Sequence, residues 1–484
     1  MIRMSAFVCL NLFRQTKTII DALDIYYLTG RAIMPKLFGT DGIRGIANKE
    51  LTAELAMKIG VAGAYVLAGQ TGRKPKILIG TDTRLSSDML EAALIAGLCS
   101  IGAEVHKAGV VPSPAMAYLI RYYKLDAGIM LSASHNPMQD NGIKFFDSTG
   151  CKLSDEVEEK IEELFLNTEE IPRPTGADVG RTALRAEASS DYAKFLSGSL
   201  IGEKPLAGLK IALDCANGAT FKVAPEVFAK LGADIIVMHD APNGININDN
   251  CGSTHLASLQ ECVKKNNADI GLAFDGDGDR VLCVDNLGEV LDGDAILALC
   301  GLDMKKKGQL KNNTIVATVM SNLGLSNFCE ANGINLRRTA VGDRYVLQEM
   351  LGGGFNLGGE QSGHIILSDY NSTGDGILTG LQLVAILNES GKNLSELRKI
   401  IQALPQVLLG AKGRLKGKLE NNKKITDAMK NIEDELGNKG RLLVRPSGTE
   451  PLIRVMIEGP NEASIQKMAE NLVTIIEKEL SWRE

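Results

Sequence analysis

One supersecondary pattern occurs three times along the chain of 484 residues, and this repeat restricts the possible folds more than any other feature of the sequence. Each copy consists of an apolar strand, a polar turn, a helix, a glycine and a second strand. The first strands of the three copies span residues 76–80, 209–214 and 314–319. Short strands that alternate with helices predict βαβ units with right-handed crossovers and mostly parallel sheets.

A further helix and strand follow each copy, and each of these strands ends in a polar loop. The loops are Ser-Ala-Ser-His-Asn-Pro at 132–137, Asp-Gly-Asp-Gly-Asp-Arg at 275–280 and Gly-Glu-Gln-Ser-Gly-His at 359–364. Ligands of open α/β sheets bind beyond the carboxyl ends of the strands, so we predict that the three loops converge on one cleft. Ordinary connecting loops are the alternative, which three polar loops at matched positions disfavour.

The C-terminal part of the chain does not repeat this pattern. Its segments are a helix at 425–436, an apolar run at 442–444, a loop at 445–451, a strand at 452–458 and a helix at 462–480. They predict a small α+β domain that a linker near Leu404 and Pro405 joins to the repeats.

The predicted fold is therefore α/β, with three similar α/β domains of mixed, mostly parallel sheets and a smaller C-terminal α+β domain, arranged around a central cleft. The expected domains span residues 34–187, 188–288, 289–403 and 404–484. Residues 1–33 form an N-terminal extension. We interpret it as an upstream translation or annotation artefact, since Met34 opens the first segment that reads as a domain.

Charge and composition exclude several functions. The 53 basic and 59 acidic residues give a net charge of −6 without a long basic run, so we expect neither nucleic acid nor a membrane surface as a partner. No apolar stretch approaches the ~20 residues that span a bilayer. The nine cysteines are scattered without a C-x-x-C motif, which indicates a reducing, cytoplasmic location.

The second loop carries three carboxylates at alternate positions. In an extended backbone Asp275, Asp277 and Asp279 project to one side and form a site for a hard cation, of which Mg²⁺ is the best match. An EF-hand is excluded because Arg280 and Asn286 stand where its glycine and its last glutamate belong. A solvated acidic turn is the alternative, which the mutual repulsion of three carboxylates disfavours.

The first loop contains Ser134, whose role depends on its neighbours in space. The adjacent His135 does not make a catalytic triad, because neighbouring side chains on a turn usually diverge. If the two loops meet over one Mg²⁺, a phosphorylated Ser134 supplies a fourth anionic ligand beside the three aspartates. A simple turn hydroxyl remains the alternative.

Two further groups of residues suit a phosphorylated sugar. Arg445, Ser447, Thr449 and the backbone N–H of Gly448 form a candidate phosphate clamp, whose alternative is a hairpin loop with a surface arginine.

In the third loop, Glu360, Ser362 and His364 are suited to sugar hydroxyls, although His364 could equally be bonded within its own loop. Lys144, held among cations such as Arg44, is a candidate general base with a lowered pKa, as is His364.

The loops at 132–137, 275–280, 359–364 and 445–451 together resemble those of the α-D-phosphohexomutase superfamily. The segment Lys-Leu-Phe-Gly-Thr-Asp-Gly-Ile-Arg-Gly at 36–45 and Gln361 are similar to the phosphoglucosamine mutases within it. The resemblance covers residues 34–484, with four motifs in the family's order.

The resemblance implies that the chain interconverts glucosamine 6-phosphate and glucosamine 1-phosphate, feeding UDP-N-acetylglucosamine synthesis. It implies one Mg²⁺ per subunit, glucose or glucosamine 1,6-bisphosphate as activator or intermediate, and a homodimer. The catalytic residues would be Ser134, Lys144, His364, Arg44 and His135. The substrate-binding residues would be Glu360, Ser362, Arg445, Ser447, Gly448, Thr449 and Arg280. The metal ligands would be Ser134, Asp275, Asp277 and Asp279.

Three other functions remain open from the sequence. A phosphomannomutase/phosphoglucomutase would use the same machinery on another sugar. A Mg²⁺-dependent phosphatase would use Asp275 as the nucleophile. A phosphosugar sensor without catalysis is the third, which the presence of Ser134 and all three aspartates argues against.

Overall fold

Four β-sheets organise the part of the chain that this computed structural model describes, namely residues 37–39, 41–412, 419, 421–446 and 452–480. The extension at 1–33 lies outside these residues, so its interpretation stays a prediction. None of the described helices has the length and apolarity that a bilayer span requires.

The first sheet has six strands, which are β1 (Ile43–Ile46), β2 (Lys76–Thr81), β3 (Glu104–Val110), β4 (Ala127–Leu131), β5 (Asp140–Asp147) and β6 (Arg181–Leu184). Their order in the sheet is β1, β5, β4, β2, β3, β6. The helices of this domain are α1 (Ala53–Thr71), α2 (Ser86–Ser100), α3 (Ser113–Tyr123) and α4 (Asp155–Phe165).

The second domain has the strands β7 (Lys210–Asp214), β8 (Asp234–Met238), β9 (Ile270–Phe274), β10 (Val281–Asp285) and β11 (Val290–Leu291). Its sheet order is β11, β10, β9, β7, β8. Its helices are α5 (Ala188–Ser197), α6 (Val223–Lys230) and α7 (Ala257–Asn266).

The third domain has the strands β12 (Thr314–Thr318), β13 (Asn335–Thr339), β14 (Leu357–Gly359) and β15 (Ile365–Leu367), in the order β13, β12, β14, β15. Its helices are α8 (Gly293–Lys306), α9 (Leu323–Ala331), α10 (Asp343–Gly353), α11 (Gly376–Ser390) and α12 (Leu394–Leu397).

The three sheets share one arrangement, as the repeat predicts. In each, the first strand of the repeat (β2, β7 or β12) lies between two parallel neighbours, and an antiparallel strand follows on one side. The central strands are apolar and buried along their length, because helices cover both faces of the sheet. The carboxyl ends of β4, β9 and β14 therefore carry the three polar loops.

The fourth domain is smaller and antiparallel. Its strands are β16 (Gln406–Lys412), β17 (Arg441–Pro446) and β18 (Leu452–Glu458), in the order β16, β18, β17, with helices α13 (Lys423–Leu436) and α14 (Glu462–Glu479). The sequence analysis missed β16, which directly follows the predicted linker at Leu404 and Pro405. The strand pairs with β18 along its whole length and completes the sheet.

One large hydrophobic cluster extends through the first three domains, and the fourth domain has a separate one. One cluster of buried side chains includes Leu78, Phe228 and Leu325, one from each α/β domain. The fourth domain has its own cluster, built from the sheet and helices α13 and α14. Among the described residues, the cluster of the fourth domain is therefore separate from the one that joins the first three.

Polar contacts attach the fourth domain to the turn that follows β12. Glu458 is fully buried and accepts hydrogen bonds from Arg441 at 3.0 Å and from the backbone N–H of Leu323 at 3.0 Å. Arg441 also donates to the carbonyl of Ser321 at 2.9 Å. The backbone N–H of Leu404 donates to Asn322. The joint thus lies at the third copy of the repeated turn.

Asp294 lies beside this joint and should make stability depend on pH. Its carboxylate accepts a hydrogen bond from the backbone N–H of Asn322 at 2.7 Å, and burial, with Asp292 adding to it, raises the pKa of Asp294 to about 7. The folded state therefore binds this proton more tightly than the unfolded state. The resulting contribution to stability is present below the unfolded pKa and is lost as pH rises through about 7.

We expect Asp294→Asn to lose less stability than the native chain when pH rises from ~5 to ~8, because asparagine keeps the acceptor for Asn322 and has no proton to lose. Urea unfolding at both pH values measures this difference. Asp303→Asn on the same helix is the control and should behave like the native chain. An identical pH response in the native chain and Asp294→Asn would refute the assignment.

Candidate active site

Ser134 lies in the loop that follows β4. Its hydroxyl points at the loop at 275–280, which carries the three aspartates and is called the acidic loop below. The side chain is fully buried, and Oγ donates to Oδ2 of Asp275 at 2.5 Å. The backbone N–H of Ser134 donates to Ser132 Oγ, and Ser132 Oγ donates to Asp82. The first and second polar loops therefore meet, as the sequence analysis predicts.

The three aspartates converge, but the backbone of their loop is not extended as expected from the sequence. Residues 275–280 form a turn rather than an extended strand, and Gly278 has a φ of 72°. One carboxylate oxygen from each of Asp275, Asp277 and Asp279 lies within 4.8 Å of the others. The prediction of an extended loop was wrong, because the chain must turn back from β9 into the antiparallel β10.

The chemistry of this trio fits a divalent cation. Asp277 Oδ1 and Asp279 Oδ1 are buried and have no hydrogen-bond partner among the described residues. Burial and the neighbouring carboxylates of Asp279 and Asp277 raise the pKa of Asp275 well above its ordinary value. A hard cation would satisfy the two oxygens and relieve the repulsion, and three carboxylates with a phosphate oxygen suit Mg²⁺.

Lys144 lies between two carboxylates, although Arg44 and Lys152 share one of them. Its ammonium group is buried and contacts Asp277 at 2.8 Å and Asp41 at 3.1 Å. Burial alone would lower the pKa of Lys144, but Asp277 and Asp41 raise it well above its ordinary value. The expected lowering of this pKa was wrong, since the sequence could not show which acidic groups surround the lysine.

Arg44 reaches the same place from β1 and pairs with Asp41. Its buried Nε has no hydrogen-bond partner among the described residues. Asp41 also accepts from Lys152 at 2.5 Å, and Lys152 donates to Asp343 at 2.7 Å. Asp41, Lys152 and Asp343 were not predicted as site residues from the sequence. Of these three, only Asp41 could have been proposed as a site residue from the sequence, because it lies in the same glycine-bounded segment as Arg44.

His364 is held at both ring nitrogens. Nδ1 lies 3.4 Å from Asp279, and Nε2 accepts a hydrogen bond from the backbone N–H of Gly374 at 3.0 Å. Burial lowers the pKa of His364, but Asp279, Asp343 and Glu360 raise it above its ordinary value. Both contacts lie outside the loop at 359–364, so they do not support the alternative in which His364 is bonded within its own loop. Its role in acid/base chemistry stays a prediction.

His135 and Arg280 lie against each other beside Ser134. His135 Nδ1 is 3.5 Å from Ser134 Oγ and 3.3 Å from an Arg280 nitrogen. Burial and the Arg280 charge lower the pKa of His135 to about 4, so this imidazole is neutral at physiological pH. The backbone N–H of Arg280 donates to Asp275 at 3.2 Å, and its buried Nε lacks a hydrogen-bond partner among the described residues.

An open cleft of about 610 Å³ lies in front of these groups. Its lining includes Arg44, Arg280, Glu360, Ser362 and His364, which come from the first three domains. Glu360 accepts a hydrogen bond from the backbone N–H of Gly342. Two guanidinium groups therefore line the same cleft as acceptor and hydroxyl groups, a combination that suits an anionic, hydroxyl-rich ligand.

The predicted phosphate clamp is described only in part. Arg445 lies on β17 opposite Arg454 of β18. Burial and the charge of Arg454 lower the pKa of Arg445. Ser447, Gly448 and Thr449 lie outside the described residues, so their role stays a prediction.

Four sequence families match the chain in order, and each is described as a domain of phosphoglucomutase/phosphomannomutase. They are alpha/beta/alpha domain I at 35–172, domain II at 190–288, domain III at 292–404 and the C-terminal domain at 411–475. These matches confirm the predicted fold class.

Relatives and solved structures agree with this assignment. A phosphoglucosamine mutase of Acetivibrio thermocellus is 56% identical over 450 residues, which cover 92% of this chain and 100% of that protein. A phosphoglucomutase/phosphomannomutase family protein from Burkholderia thailandensis has the same fold, with a TM-score of 0.77, 23% identity and coverage of 93% of this chain and 98% of its own.

An N-acetylphosphoglucosamine mutase of Aspergillus fumigatus, solved with GlcNAc-6P and magnesium, also shares the fold. Its TM-score is 0.63 at 16% identity, and the match covers 96% of this chain and 98% of that one.

We expect Mg²⁺ to stabilise the chain against thermal unfolding, by about 2.7 kcal/mol when free Mg²⁺ is ~100 times its Kd. Asp277→Asn should weaken this response, because it removes one charged ligand from the trio. Asp249→Asn, an exposed change outside the trio, should keep it. Melting curves with Mg²⁺ and with a chelator measure the effect. An undiminished response in Asp277→Asn would mean that the ion binds elsewhere.

Proposed function

The chain belongs to the phosphoglucosamine mutases of the phosphohexomutase superfamily, and we propose that Ser134 carries the phosphoryl group in its interconversion of glucosamine 6-phosphate and glucosamine 1-phosphate. It is an isomerase. The observation that carries the proposal is the 2.5 Å contact between Ser134 Oγ and Asp275, which places a buried hydroxyl at the edge of the acidic trio. This is where a phosphoserine would share a cation with carboxylates.

The metal ligands in this proposal are Ser134, Asp275, Asp277 and Asp279, which would hold one Mg²⁺ per subunit. When bound, Mg²⁺ supplies positive charge that offsets the charge on the transferring phosphoryl oxygens. The orphaned oxygens of Asp277 and Asp279 support this assignment.

Cationic side chains complete the surroundings of the phosphoryl group. We assign Lys144 and Arg44 to the stabilisation of its negative charge. Lys144 remains protonated between Asp277 and Asp41, and the Nε of Arg44 has no hydrogen-bond partner in the part of the chain that the structure describes. In phosphoryl transfer such electrostatic stabilisation and positioning supply most of the catalysis. The charge of Lys144 suits this role better than that of a general base.

Residues on the far side of the cleft would hold the rest of the substrate. Glu360 and Ser362 line the cleft and suit the sugar hydroxyls. Arg280 also lines the cleft, and its positive charge would lie between the sugar and the acidic loop. The second phosphate would bind to Arg445 with Ser447, Gly448 and Thr449. This assignment follows the family resemblance and the basic pair formed by Arg445 and Arg454.

The reaction requires the sugar to present its two phosphate positions to Ser134 in turn. After the first transfer, a 1,6-bisphosphate must reverse within the cleft before Ser134 regains a phosphoryl group. The fourth domain has a separate core and a polar joint at Glu458 and Arg441, which suits a domain that closes over substrate and opens for this reversal. Glucose or glucosamine 1,6-bisphosphate would serve as activator.

As the resemblance implies, we also propose that the chain forms a homodimer, acts in the cytoplasm and takes part in UDP-N-acetylglucosamine synthesis. All eight cysteines of the described residues are free, which supports a reducing compartment.

A coupled assay with Mg²⁺ and catalytic glucose 1,6-bisphosphate tests the proposed substrate. We expect kcat/KM for glucosamine 6-phosphate to exceed those for glucose and mannose 6-phosphates by at least ~10-fold, because polar sites discriminate strongly at a hydrogen-bonded substituent.

Ser134→Ala should lower kcat by ~10⁴-fold or more while the fold persists. Ser190→Ala, on an exposed helix face, is the matched control. Near-native turnover by Ser134→Ala, or a preference for mannose or glucose, would overturn the assignment.

A further inference from the structure

The main chain of Ser134 adopts a left-handed conformation, with a φ of 52°. Residues other than glycine rarely adopt it, so surrounding groups must hold the backbone in place. The carbonyl oxygens of Ser134 and Asn136 each accept hydrogen bonds from two side chains outside the loop. These side chains are Arg84 and Asn248, which have no part in the reaction described above.

Arg84 holds the loop from the first domain. It follows β2, is 2% exposed, and its Nε donates to Asp82 at 2.9 Å. Its two terminal nitrogens donate to the carbonyl oxygens of Ser134 (3.0 Å), Asn136 (2.8 Å), Pro137 (2.5 Å) and Asp140 (2.9 Å). The planar fork of a guanidinium group allows one side chain to hold four carbonyls, which the single ammonium of a lysine could not do in this geometry.

Asn248 holds the same two carbonyls from the second domain. Its Nδ2 donates to Ser134 at 2.9 Å and to Asn136 at 3.0 Å. Its own backbone has a φ of 58° and is tied by its N–H to the carbonyl of Ala216. The two side chains thus bind the serine loop to both domains that form the metal site.

The part of the serine loop that Arg84 and Asn248 hold lies against the loop of the three aspartates. A Cβ on Gly276 would lie 2.5 Å from the carbonyl oxygen of Ser134 and 2.8 Å from Asn248 Nδ2, so only glycine fits at this position. Gly276 stands between Asp275 and Asp277. The clamped carbonyl is therefore packed against the backbone that carries two of the three carboxylates.

We propose that Arg84 and Asn248 are positioning residues that clamp the Ser134 loop against the metal-binding loop and so keep the Ser134 hydroxyl in place through both phosphoryl transfers. The proposal rests on the proposed function and adds the groups that orient its reacting oxygen. In the first transfer the P–O bond to Ser134 Oγ breaks while a sugar hydroxyl oxygen bonds to phosphorus, and the proton that this hydroxyl loses is balanced by the proton that Ser134 Oγ gains. In the second transfer Ser134 Oγ bonds to the phosphorus at the other phosphate position and loses this proton, while the P–O bond to the sugar breaks and that sugar oxygen is protonated.

Misplacement of a reacting atom by ~1 Å can lower a rate by ~10²-fold. Neither Arg84 nor Asn248 is among the side chains that line the cleft. Their loss should therefore affect the transfer step far more than substrate binding.

Asn248→Asp is the sharpest variant, because it keeps the shape and the tolerance for a left-handed backbone but turns an acceptor oxygen toward two carbonyl oxygens. We expect the single-turnover rate of transfer from phospho-Ser134 to glucosamine 6-phosphate to fall about 10²-fold, with KM within about twofold of native. Asn250→Asp is the matched control, because Asn250 is exposed, has a φ of 52° and donates to Asp249. It should keep the native rate.

Arg84 provides an independent test should Asn248→Asp fail to fold. Arg84→Lys keeps the charge opposite Asp82 but loses the fork, and we expect a similar fall in the transfer rate. In Arg84→Ala, added guanidinium at millimolar concentration should restore part of the lost rate. Arg73→Lys, an exposed arginine paired with Asp126, is the control.

The outcomes separate the clamp from the reaction it serves. If the native enzyme never carries a phosphoryl group on Ser134, the proposed function fails and the clamp with it. If the native enzyme transfers the group and both Asn248→Asp and Arg84→Lys transfer it at the native rate, only the clamp is overturned. Loss of rate that merely follows a loss of melting temperature, without rescue by guanidinium, also overturns it.

Discussion

The burial of three carboxylates beside one serine is the constraint on which the rest of the site depends. Such a cluster is costly unless cations balance it. Lys144 contacts Asp277, His364 faces Asp279, and the backbone of Arg280 donates to Asp275. Two buried carboxylate oxygens still lack a hydrogen-bond partner among the described residues, and Mg²⁺ would bind to these oxygens. The site is therefore arranged around charge that the protein alone does not fully neutralise.

The repeated architecture explains how residues distant in sequence reach this cluster. Each α/β domain presents a polar loop at the carboxyl end of an equivalent strand, and the hydrophobic cluster that extends through the first three domains holds the loops together. Two residues with positive φ, Ser134 and Gly278, lie where the first and second loops meet. The fourth domain has its own core and a polar joint, so in the proposed function it would close on a second phosphate while the three aspartates stay in place.

Much of this arrangement could be predicted from the sequence, because strand and helix periodicity and the placement of loops after strands are local signals. The convergence of the loops followed from that pattern. The local geometry of the site did not follow from that pattern. The acidic loop turns instead of extending, and Lys144 lies between two aspartates. Arg84 and Asn248 were also missed, since their partners are 50 or more residues away and are backbone carbonyls, which leave no trace in residue type.

The most direct test of the central claim is to find where the enzyme carries phosphorus. The active enzyme would be incubated with glucose 1,6-bisphosphate, and its intact mass and acid-treated peptides would be compared with those of the untreated enzyme. We expect one acid-stable phosphoryl group on Ser134, which leaves the enzyme when glucosamine 6-phosphate is added. An acid-labile group on Asp275, or no phosphoryl group on an enzyme that turns over, would contradict it.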